Sequence, residues 1–109
     1  MRIARRMATG LPCAASKAAI VRRTRTLAGA LGLDIRVNAV APGWMEGEWM
    51  EHALGDNYEG LIARRAKRTP LRRCVTTDEV AATILSLATG SPFVNGETVV
   101  IDGGYTATT

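Results

Sequence analysis

The chain has 109 residues, of which 47% are hydrophobic and 22% charged, so it is long enough for one small domain and too apolar to be disordered. It contains no apolar run of membrane-spanning length and no signal-peptide pattern, and Cys13 and Cys74 form no CxxC pair or cluster with the single histidine, His52. These features argue against a zinc site or a membrane partner, and they predict free thiols and a cytoplasmic protein.

The charge is unevenly distributed, with a formal net charge of +4. Residues 1–33 contain basic but no acidic residues, and a second basic run, ARRAKR, occupies residues 63–68. A transit peptide or a nucleic-acid arm has such a composition, but few aromatic side chains are interleaved with the charges to stack on bases. We therefore interpret the basic residues as solvated helix faces and predict no nucleic-acid partner.

Two elements are predicted in the first part of the chain. Ala14–Leu31 is rich in Ala and Leu with apolar residues at helical spacing, and Gly32 follows as a C-terminal stop, which predicts a helix. The segment DIRVNAV at 34–40 alternates apolar with polar residues, so it is predicted to form a strand that Pro42 and Gly43 end.

The second part of the chain begins with an irregular excursion over residues 44–75, in which a helical stretch around Glu59–Lys67 ends before Thr69 and Pro70. Thr76 and Glu79 then have the spacing of a capping box and predict the start of a helix that ends at Gly90. The apolar face of this helix consists of Val80, Ala81, Ile84, Leu85 and Ala88. The segment ETVVID at 97–102 lies between two glycine-containing turns and is predicted to form a buried strand.

This order of helices and strands is typical of parallel α/β architecture. Two strands alone leave both edges unpaired, so either the N-terminal piece adds a strand or partner strands come from elsewhere. The pattern indicates that the 109 residues are part of a larger unit.

Four segments in order resemble the C-terminal part of the short-chain dehydrogenase/reductase family: AASKAA at 14–19, IRVNAVAPGWM at 35–45, the block from TPLRR to LAT at 69–89, and FVNGETVVIDGGY at 93–105. The resemblance implies a partial Rossmann-like unit, a doubly wound parallel sheet that lacks the N-terminal dinucleotide-binding half. Residues 1–109 would then be one incomplete domain, the C-terminal half of the family's fold.

The resemblance also implies site residues. Lys17 matches the lysine that hydrogen-bonds the cofactor ribose and lowers the pKa of a neighbouring tyrosine. Pro42, Gly43, Trp44 and Met45 match the loop whose backbone holds the nicotinamide carboxamide, with the glycine allowing close approach. The alternatives are a solvated helix lysine and a plain turn at the end of a strand.

Several positions depart from the family pattern. The position of the catalytic tyrosine holds Cys13, whose side chain is too short to reach a carbonyl placed for hydride transfer, so it is either a reactive thiolate or a small residue in a vacated position. The segment IARRMATGLP at 3–12 looks like the end of a strand and its loop, with Arg5 and Arg6 where the family has its catalytic serine. Gly47 offers no hydroxyl near the cofactor phosphates, and no G-x-G-x-x-G turn is present.

Two functions remain open at this stage. The first is an oxidoreductase that uses NAD or NADP on a small-molecule alcohol or carbonyl substrate, represented by a truncated chain that is inactive by itself. The alternative is a non-catalytic remnant or subunit that acts through oligomer contacts, either as a homo-oligomer or by pairing with a full-length relative. Whether the chain by itself is an enzyme stays open, and Trp49, Met50, Leu54 and Tyr58 are either substrate-lining or packing residues.

Overall fold

The computed structural model describes residues 2–108, and the side chains of residues 10–108. Its elements in chain order are α1 (Arg2–Leu31), β1 (Ala39–Pro42), α2 (Glu48–Leu54), a short 3₁₀ helix (Gly55–Asn57), α3 (Tyr58–Arg68), α4 (Thr77–Thr89) and β2 (Thr98–Ile101). The strands form a two-stranded sheet, in which the Ala39 N–H donates to the Glu97 carbonyl and the Gly43 N–H to the Ile101 carbonyl. Because both strands advance by four residues between these bonds, the pairing is parallel. The predicted α/β class is therefore confirmed.

The first helix is longer than predicted. It begins at Arg2 and runs through Pro12, whereas the sequence pattern suggested the end of a strand and a loop over residues 3–12. Arg, Ala and Met in this segment are good helix formers, and a helix satisfies its own backbone hydrogen bonds, whereas a strand needs a partner strand. The N-terminal piece therefore adds a helix, not a strand, to the described structure.

The chain forms two compact units, and the first comprises the residues up to Ala39 together with Val94–Thr98. In this unit Thr24 and Ala28 are the buried positions among the described side chains of α1, and the Asn95 side chain donates to the Ala28 carbonyl at 3.1 Å. Gly96 has φ +81°, and a Cβ there would lie 3.3 Å from the Ala28 Cβ. The positive φ and this close approach account for a glycine in the turn before β2.

The strand predicted over residues 34–40 begins only at Ala39. Side chains satisfy the backbone groups just before it, since the Val37 N–H donates to Asn95 Oδ1 at 2.9 Å and the Glu97 N–H donates to Asn38 Oδ1 at 3.0 Å. The Arg36 guanidinium and the Asn38 amide both donate to the Val94 carbonyl. These bonds replace the start of a strand ladder with a side-chain network.

The second unit comprises Val40–Phe93 and the residues from Val99 on. Strand β1 extends through Pro42, whereas the sequence pattern predicts that Pro42 and Gly43 end it. Since Ala39 and Gly43 donate their N–H groups to β2, the position of Pro42 faces the opposite edge. A proline that lacks an N–H is tolerated there because no bond to β2 is lost.

Helices α3 and α4 follow their local sequence signals. Helix α3 has Glu59 in its first turn and Arg65, Lys67 and Arg68 in its last turn, which suits the helix dipole, and it ends at the extended Thr69 before Pro70. Helix α4 begins with the predicted capping box, in which the Thr76 hydroxyl accepts from the Glu79 N–H and the Glu79 carboxylate accepts from the Thr76 N–H. Its C-cap is Gly90, as predicted.

Burial is sparse in the described structure. Ala28 and Cys74 are the buried hydrophobic residues among the described side chains. Ile84 and Leu85 on the apolar face of α4 are exposed, and Val100 in β2 is 55% exposed, so the prediction of a buried strand is wrong for this chain. A two-stranded sheet offers too few neighbouring elements to cover its faces.

Candidate functional site

The loop after β1, Pro42–Met45, packs closely against the end of β2. A Cβ on Gly43 would lie 2.8 Å from the Cβ of Asp102 and 3.0 Å from its Cα. The family resemblance implies that this glycine permits close approach of a cofactor. In the structure, the packing of the loop against Asp102 is itself a reason for a glycine at this position.

The next residues of the loop pair with the segment before α4. The Val75 N–H donates to the Trp44 carbonyl at 3.1 Å and the Glu46 N–H donates to the Val75 carbonyl at 2.9 Å, which makes Met45 and Val75 an isolated parallel bridge. In a parallel ladder the residue between two such bonds directs its own N–H and carbonyl to the opposite edge. No hydrogen bond described for residues 2–108 uses these two groups of Met45, so the loop presents an adjacent donor and acceptor.

An open cavity of about 640 Å³ lies beside this loop. Its wall is mostly apolar, with a few polar groups near the end of β2. The lining residues are Ala41, Pro42, Gly43, Trp44, Met45, Met50, Val100, Asp102, Tyr105 and Thr106. A cavity of this size with few polar groups is of the kind that holds a small organic ligand.

Two aromatic residues of this wall are joined by one arginine. The Arg65 guanidinium carbon lies 4.3 Å from the centroid of the Trp44 ring, within the range of a cation–π contact. Its Nη1 also donates to the Tyr105 hydroxyl oxygen at 3.4 Å. Helix α3 is thereby linked to the loop after β1 and to the turn after β2.

The turn after β2 is organised by Asp102. Its carboxylate accepts hydrogen bonds from the Thr106 hydroxyl at 2.6 Å, from the Thr106 N–H at 2.9 Å and from the Gly104 N–H at 2.9 Å. These hydrogen bonds hold the pKa of Asp102 below its ordinary value because they stabilise the charged form. The bond from the Thr106 hydroxyl has the largest effect, and the backbone donors add to it. Asp102 therefore enters the cavity wall as a carboxylate that is already hydrogen-bonded.

Cys13 and Lys17 lie on α1, four residues apart and therefore on one face of the helix. Both side chains are exposed, and the Ser16 hydroxyl donates to the Cys13 carbonyl at 2.8 Å, as a helix serine ordinarily does. The two residues belong to the first unit and the Pro42–Met45 loop to the second.

The other cysteine is enclosed. Cys74 is 3% exposed and its thiol donates to the Ile62 carbonyl at 3.7 Å. Burial raises the pKa of the Cys74 thiol, and the charge of Glu46 acts in the same direction. Among the described residues, no group of three or more His, Cys, Asp or Glu side chains is placed to hold a metal ion.

The family model described as enoyl-(acyl carrier protein) reductase matches residues 3–106 of the chain. This match covers nearly the whole sequence. The chain belongs to the short-chain dehydrogenase/reductase family.

Individual relatives agree with this family. The chain is similar to a 3-oxoacyl-(acyl-carrier-protein) reductase of Chlamydia pneumoniae, with 41% identity over 85% of this chain and 37% of the relative. It is also similar to the structure of a gluconate 5-dehydrogenase from Burkholderia cenocepacia in complex with NADP and tartrate, with 35% identity, a TM-score of 0.76, and coverage of 88% and 38% of the two chains. A 4-hydroxyisoleucine dehydrogenase complexed with NADH matches with 29% identity and a TM-score of 0.74, over 85% and 38%.

The chain spans somewhat more than a third of the length of the curated relatives it matches. These similarities confirm the family and the partial Rossmann-type unit, and relatives in the family bind NAD or NADP. In the part of the chain that the structure describes, no helix is long and apolar enough to cross a membrane.

The structure brings together only some of the residues singled out in this short-chain dehydrogenase/reductase sequence. Pro42, Gly43, Trp44, Met45 and Met50 line one cavity. Trp49 is not among its lining residues and is 75% exposed, and the Tyr58 hydroxyl accepts from the Gly47 N–H at 3.4 Å.

Sequence reasoning missed Tyr105 as a lining residue of this cavity and missed Arg65 as the residue that contacts Trp44 and Tyr105 in its wall. The paired glycines 103 and 104 signalled a tight turn near Tyr105, and both have positive φ. Arg65 had no signal, because it lies within a basic run that reads as a solvated helix face.

Proposed function

We propose that this chain forms the nicotinamide side of an NAD- or NADP-dependent oxidoreductase that interconverts small-molecule alcohols and carbonyl compounds. The relatives named above are reductases and dehydrogenases, two of them with NADP or NADH in their structures. The cofactor, when bound, supplies or accepts hydride. Because the relatives named above are all described as enzymes, we do not propose that the protein is a non-catalytic remnant or subunit.

The observation that carries the proposal is that Met45, a lining residue of the cavity, does not use its own N–H and carbonyl in the bridge to Val75. Its bridge to Val75 leaves its N–H and carbonyl on the opposite edge, and Met45 lines the cavity. A carboxamide has one acceptor and one donor group, which is the complement of this pair. The residues present therefore fit the nicotinamide end of the cofactor, with Pro42, Gly43 and Trp44 as the rest of the loop.

The resemblance also implies roles for Lys17 and Cys13 of the first unit. We propose that Lys17 binds the cofactor ribose, as the resemblance implies, and that its charge favours deprotonation of a neighbouring acid. Cys13 would occupy the position of that acid. Its short side chain argues against direct proton transfer to a substrate, so we expect the isolated chain to be inactive.

The proposal also covers how the chain assembles and in which cellular compartment it acts. The unpaired edges of the two-stranded sheet and the exposed Leu27 and Leu31 of α1 support association with another copy or with a full-length relative. We also propose that residues 1–109 correspond to the C-terminal half of one Rossmann domain and that the protein acts in the cytoplasm, where its free cysteines stay reduced.

The test is a titration of the isotope-labelled 109-residue chain with NADH and, separately, with NADPH. The measurement is the NMR chemical shift of the backbone amides of residues 43–45 at each cofactor concentration. Because no glycine-rich pyrophosphate turn is present in these residues, we expect weak binding with a dissociation constant of about 1 mM, equivalent to about −4 kcal/mol. Shifts confined to the loop and the cavity wall are the expected result.

Two variants of one residue provide the matched comparison. Met45→Leu keeps the main-chain donor, whereas Met45→Pro removes it at a position whose N–H is not used in the Val75 bridge. We expect Met45→Leu to bind like the parent and Met45→Pro to bind about two- to tenfold more weakly, the range for one hydrogen bond. If neither cofactor perturbs the loop amides of the parent chain, the proposal is wrong.

A further inference from the structure

Arg65 is a half-buried cation whose charge faces aromatic rings. The ion pair found among the described residues joins Arg73 to Glu79, and no carboxylate pairs with Arg65 there. Its guanidinium instead lies over the Trp44 ring and donates to the Tyr105 hydroxyl. A guanidinium has a flat face for stacking and several donors in its plane, so it can make both contacts at once.

The backbone of Arg65 is fixed from the other side. Its carbonyl accepts from the Thr69 hydroxyl at 2.9 Å and from the Thr69 N–H at 3.1 Å, and Thr69 is buried. The methyl group of Thr69 in turn limits the turn after β2, since a Cβ on Gly103 would lie 2.7 Å from it. The main chain of Arg65 is thus anchored by Thr69, which also lies beside the turn after β2. The guanidinium of Arg65 contacts Tyr105 in that same turn.

The contact bears directly on the loop that presents Met45. The Trp44 carbonyl accepts from the Val75 N–H, so the peptide between Trp44 and Met45 is fixed at its carbonyl by that bond. The ring of the same residue is fixed by Arg65. With both the carbonyl and the side chain of Trp44 held, the following Met45 N–H is directed to the side away from Val75.

We propose that Arg65 is a positioning residue that holds the Trp44 ring in the cavity wall and thereby fixes the orientation of the Met45 main chain. Arg65 is not itself among the residues that line the cavity and acts through Trp44 and Tyr105. Its bond to the Tyr105 oxygen uses an acceptor site of that hydroxyl and leaves the phenolic proton as a donor. The importance of Met45 for a cofactor rests on the proposed function, but the effect of Arg65 on the loop is measurable without ligand.

The experiment uses the full 109-residue chain in a Trp49→Phe background, so that Trp44 is the remaining tryptophan. The variants are Arg65→Met, which keeps an apolar stem without the cation, and Arg65→Lys, which keeps the cation without the planar fork. Tyr105→Phe removes only the hydroxyl acceptor. Arg64→Met is the matched control, because Arg64 is the preceding residue of the same helix and is exposed.

Two readouts are taken without ligand: acrylamide quenching of Trp44 fluorescence and the amide signal of Met45. For Arg65→Met we expect the population with an unstacked ring to rise about two- to fivefold, the ratio that corresponds to a cation–π contact at a partly exposed site. Arg65→Lys should be intermediate and Tyr105→Phe smaller still. Arg64→Met should match the parent in both readouts.

The proposal is overturned if Arg65→Met and Arg64→Met give the same quenching and the same Met45 signal. If Arg65→Met does not fold, as seen by circular dichroism, Arg65→Lys and Tyr105→Phe decide, and parent-like values in both overturn it. A cofactor titration of the same proteins separates the two ideas. An unresponsive parent chain rejects the proposed function, while the ligand-free readouts still decide the role of Arg65.

Discussion

Cys13 and Lys17 occupy exposed positions of α1, whereas the loop Pro42–Met45 is held by contacts from three other segments. The loop is closed in by Asp102 after β2, by Val75 before α4 and by Arg65 on α3. For Cys13 the contact described beyond the helix backbone is the hydrogen bond from the Ser16 hydroxyl to its main-chain carbonyl, which does not involve the Cys13 thiol. The two segments carry comparable sequence signals of the family, but only the loop is organised by packing in this structure.

This difference shows what a family motif contributes and what it does not. The motif SKAA marks Lys17, but the role that the resemblance implies for this lysine depends on a partner acid at a position that holds Cys13 in this sequence. The motif PGWM identifies a loop, and the donor and acceptor edge of Met45 follows from backbone pairing within the second unit. The donor and acceptor of Met45 therefore do not depend on its side chain, whereas the role implied for Lys17 depends on a particular neighbouring side chain.

The largest expected effect comes from breaking the close approach at Gly43. Gly43→Ala would place a Cβ 2.8 Å from the Asp102 Cβ, so the loop and the end of β2 must move apart. Overpacking of this kind costs about 1–3 kcal/mol, to be measured as the free energy of unfolding in urea. Gly60→Ala is the control, because a Cβ there meets nothing within 4 Å in α3, and it should stabilise the protein by about 0.5–1 kcal/mol. Equal stability of Gly43→Ala and the parent would show that the loop is not packed as described.

Some helices and strands could be predicted from the sequence more accurately than others. The capping box at Thr76 and Glu79 and the end of α3 before Pro70 were predicted correctly, because each depends on residues within one helical turn. The start of β1 was predicted five residues too early, because Asn95, 58 residues away, takes the Val37 N–H.

The same limit applies to the candidate site. The loop Pro42–Met45 was found from its motif, but the contact of Arg65 with Trp44 joins a helix to a loop 21 residues earlier in the chain. No local pattern distinguishes Arg65 from its basic neighbours in ARRAKR. Arg65 thus becomes recognisable only when the tertiary packing is known.

The contrast between exposed and enclosed segments also predicts different reactivities of the two thiols. Cys13 is exposed, whereas Cys74 is buried and its pKa is raised by that burial, which lowers the fraction of reactive thiolate. Alkylation of the native protein with iodoacetamide, followed by mass spectrometry, should label Cys13 first and Cys74 only on unfolding in urea. Cys13→Ser should abolish the rapid labelling. Equal rates at the two cysteines would contradict the enclosure of Cys74.

A smaller effect is expected at the start of α4, where Glu79 pairs with Arg73. The pKa of Glu79 is lowered from 4.5 to about 2. The main cause is the hydrogen bond from Arg73, and the hydrogen bond from the Thr76 N–H adds to it. Because the pKa is lowered in the folded state, the stabilisation is present above pH 4.5 and is lost as the pH falls from 4.5 toward 2. Since both side chains are exposed to solvent, the change is small.

Glu79→Gln tests this dependence, since glutamine keeps a side-chain acceptor for the capping box but cannot titrate. The difference in unfolding free energy between the parent and Glu79→Gln should shrink between pH 6 and pH 3 in urea titrations. Asp78→Asn removes the adjacent exposed carboxylate of the same turn and is the control for the loss of one negative charge at the helix start. A difference that is constant with pH would mean that the ion pair does not form in solution.

The smallest expected effect is at Cys13, and it tests the comparison most directly. Cys13→Tyr restores the residue that the family pattern has four positions before Lys17, so it would restore activity if the missing acid were the only defect. We expect no cofactor-dependent turnover of small carbonyl substrates by the parent chain or by Cys13→Tyr, measured as consumption of NADH or NADPH. The reason is that an acid on an exposed helix still lacks both the serine of the family pattern and the glycine-rich turn that would hold the pyrophosphate. The contrary result would be turnover by Cys13→Tyr that is lost again when Lys17→Met is added to the same chain. That result would show that α1 is already organised for catalysis. It would also show that the contacts around a residue are a poor guide to its function in this protein.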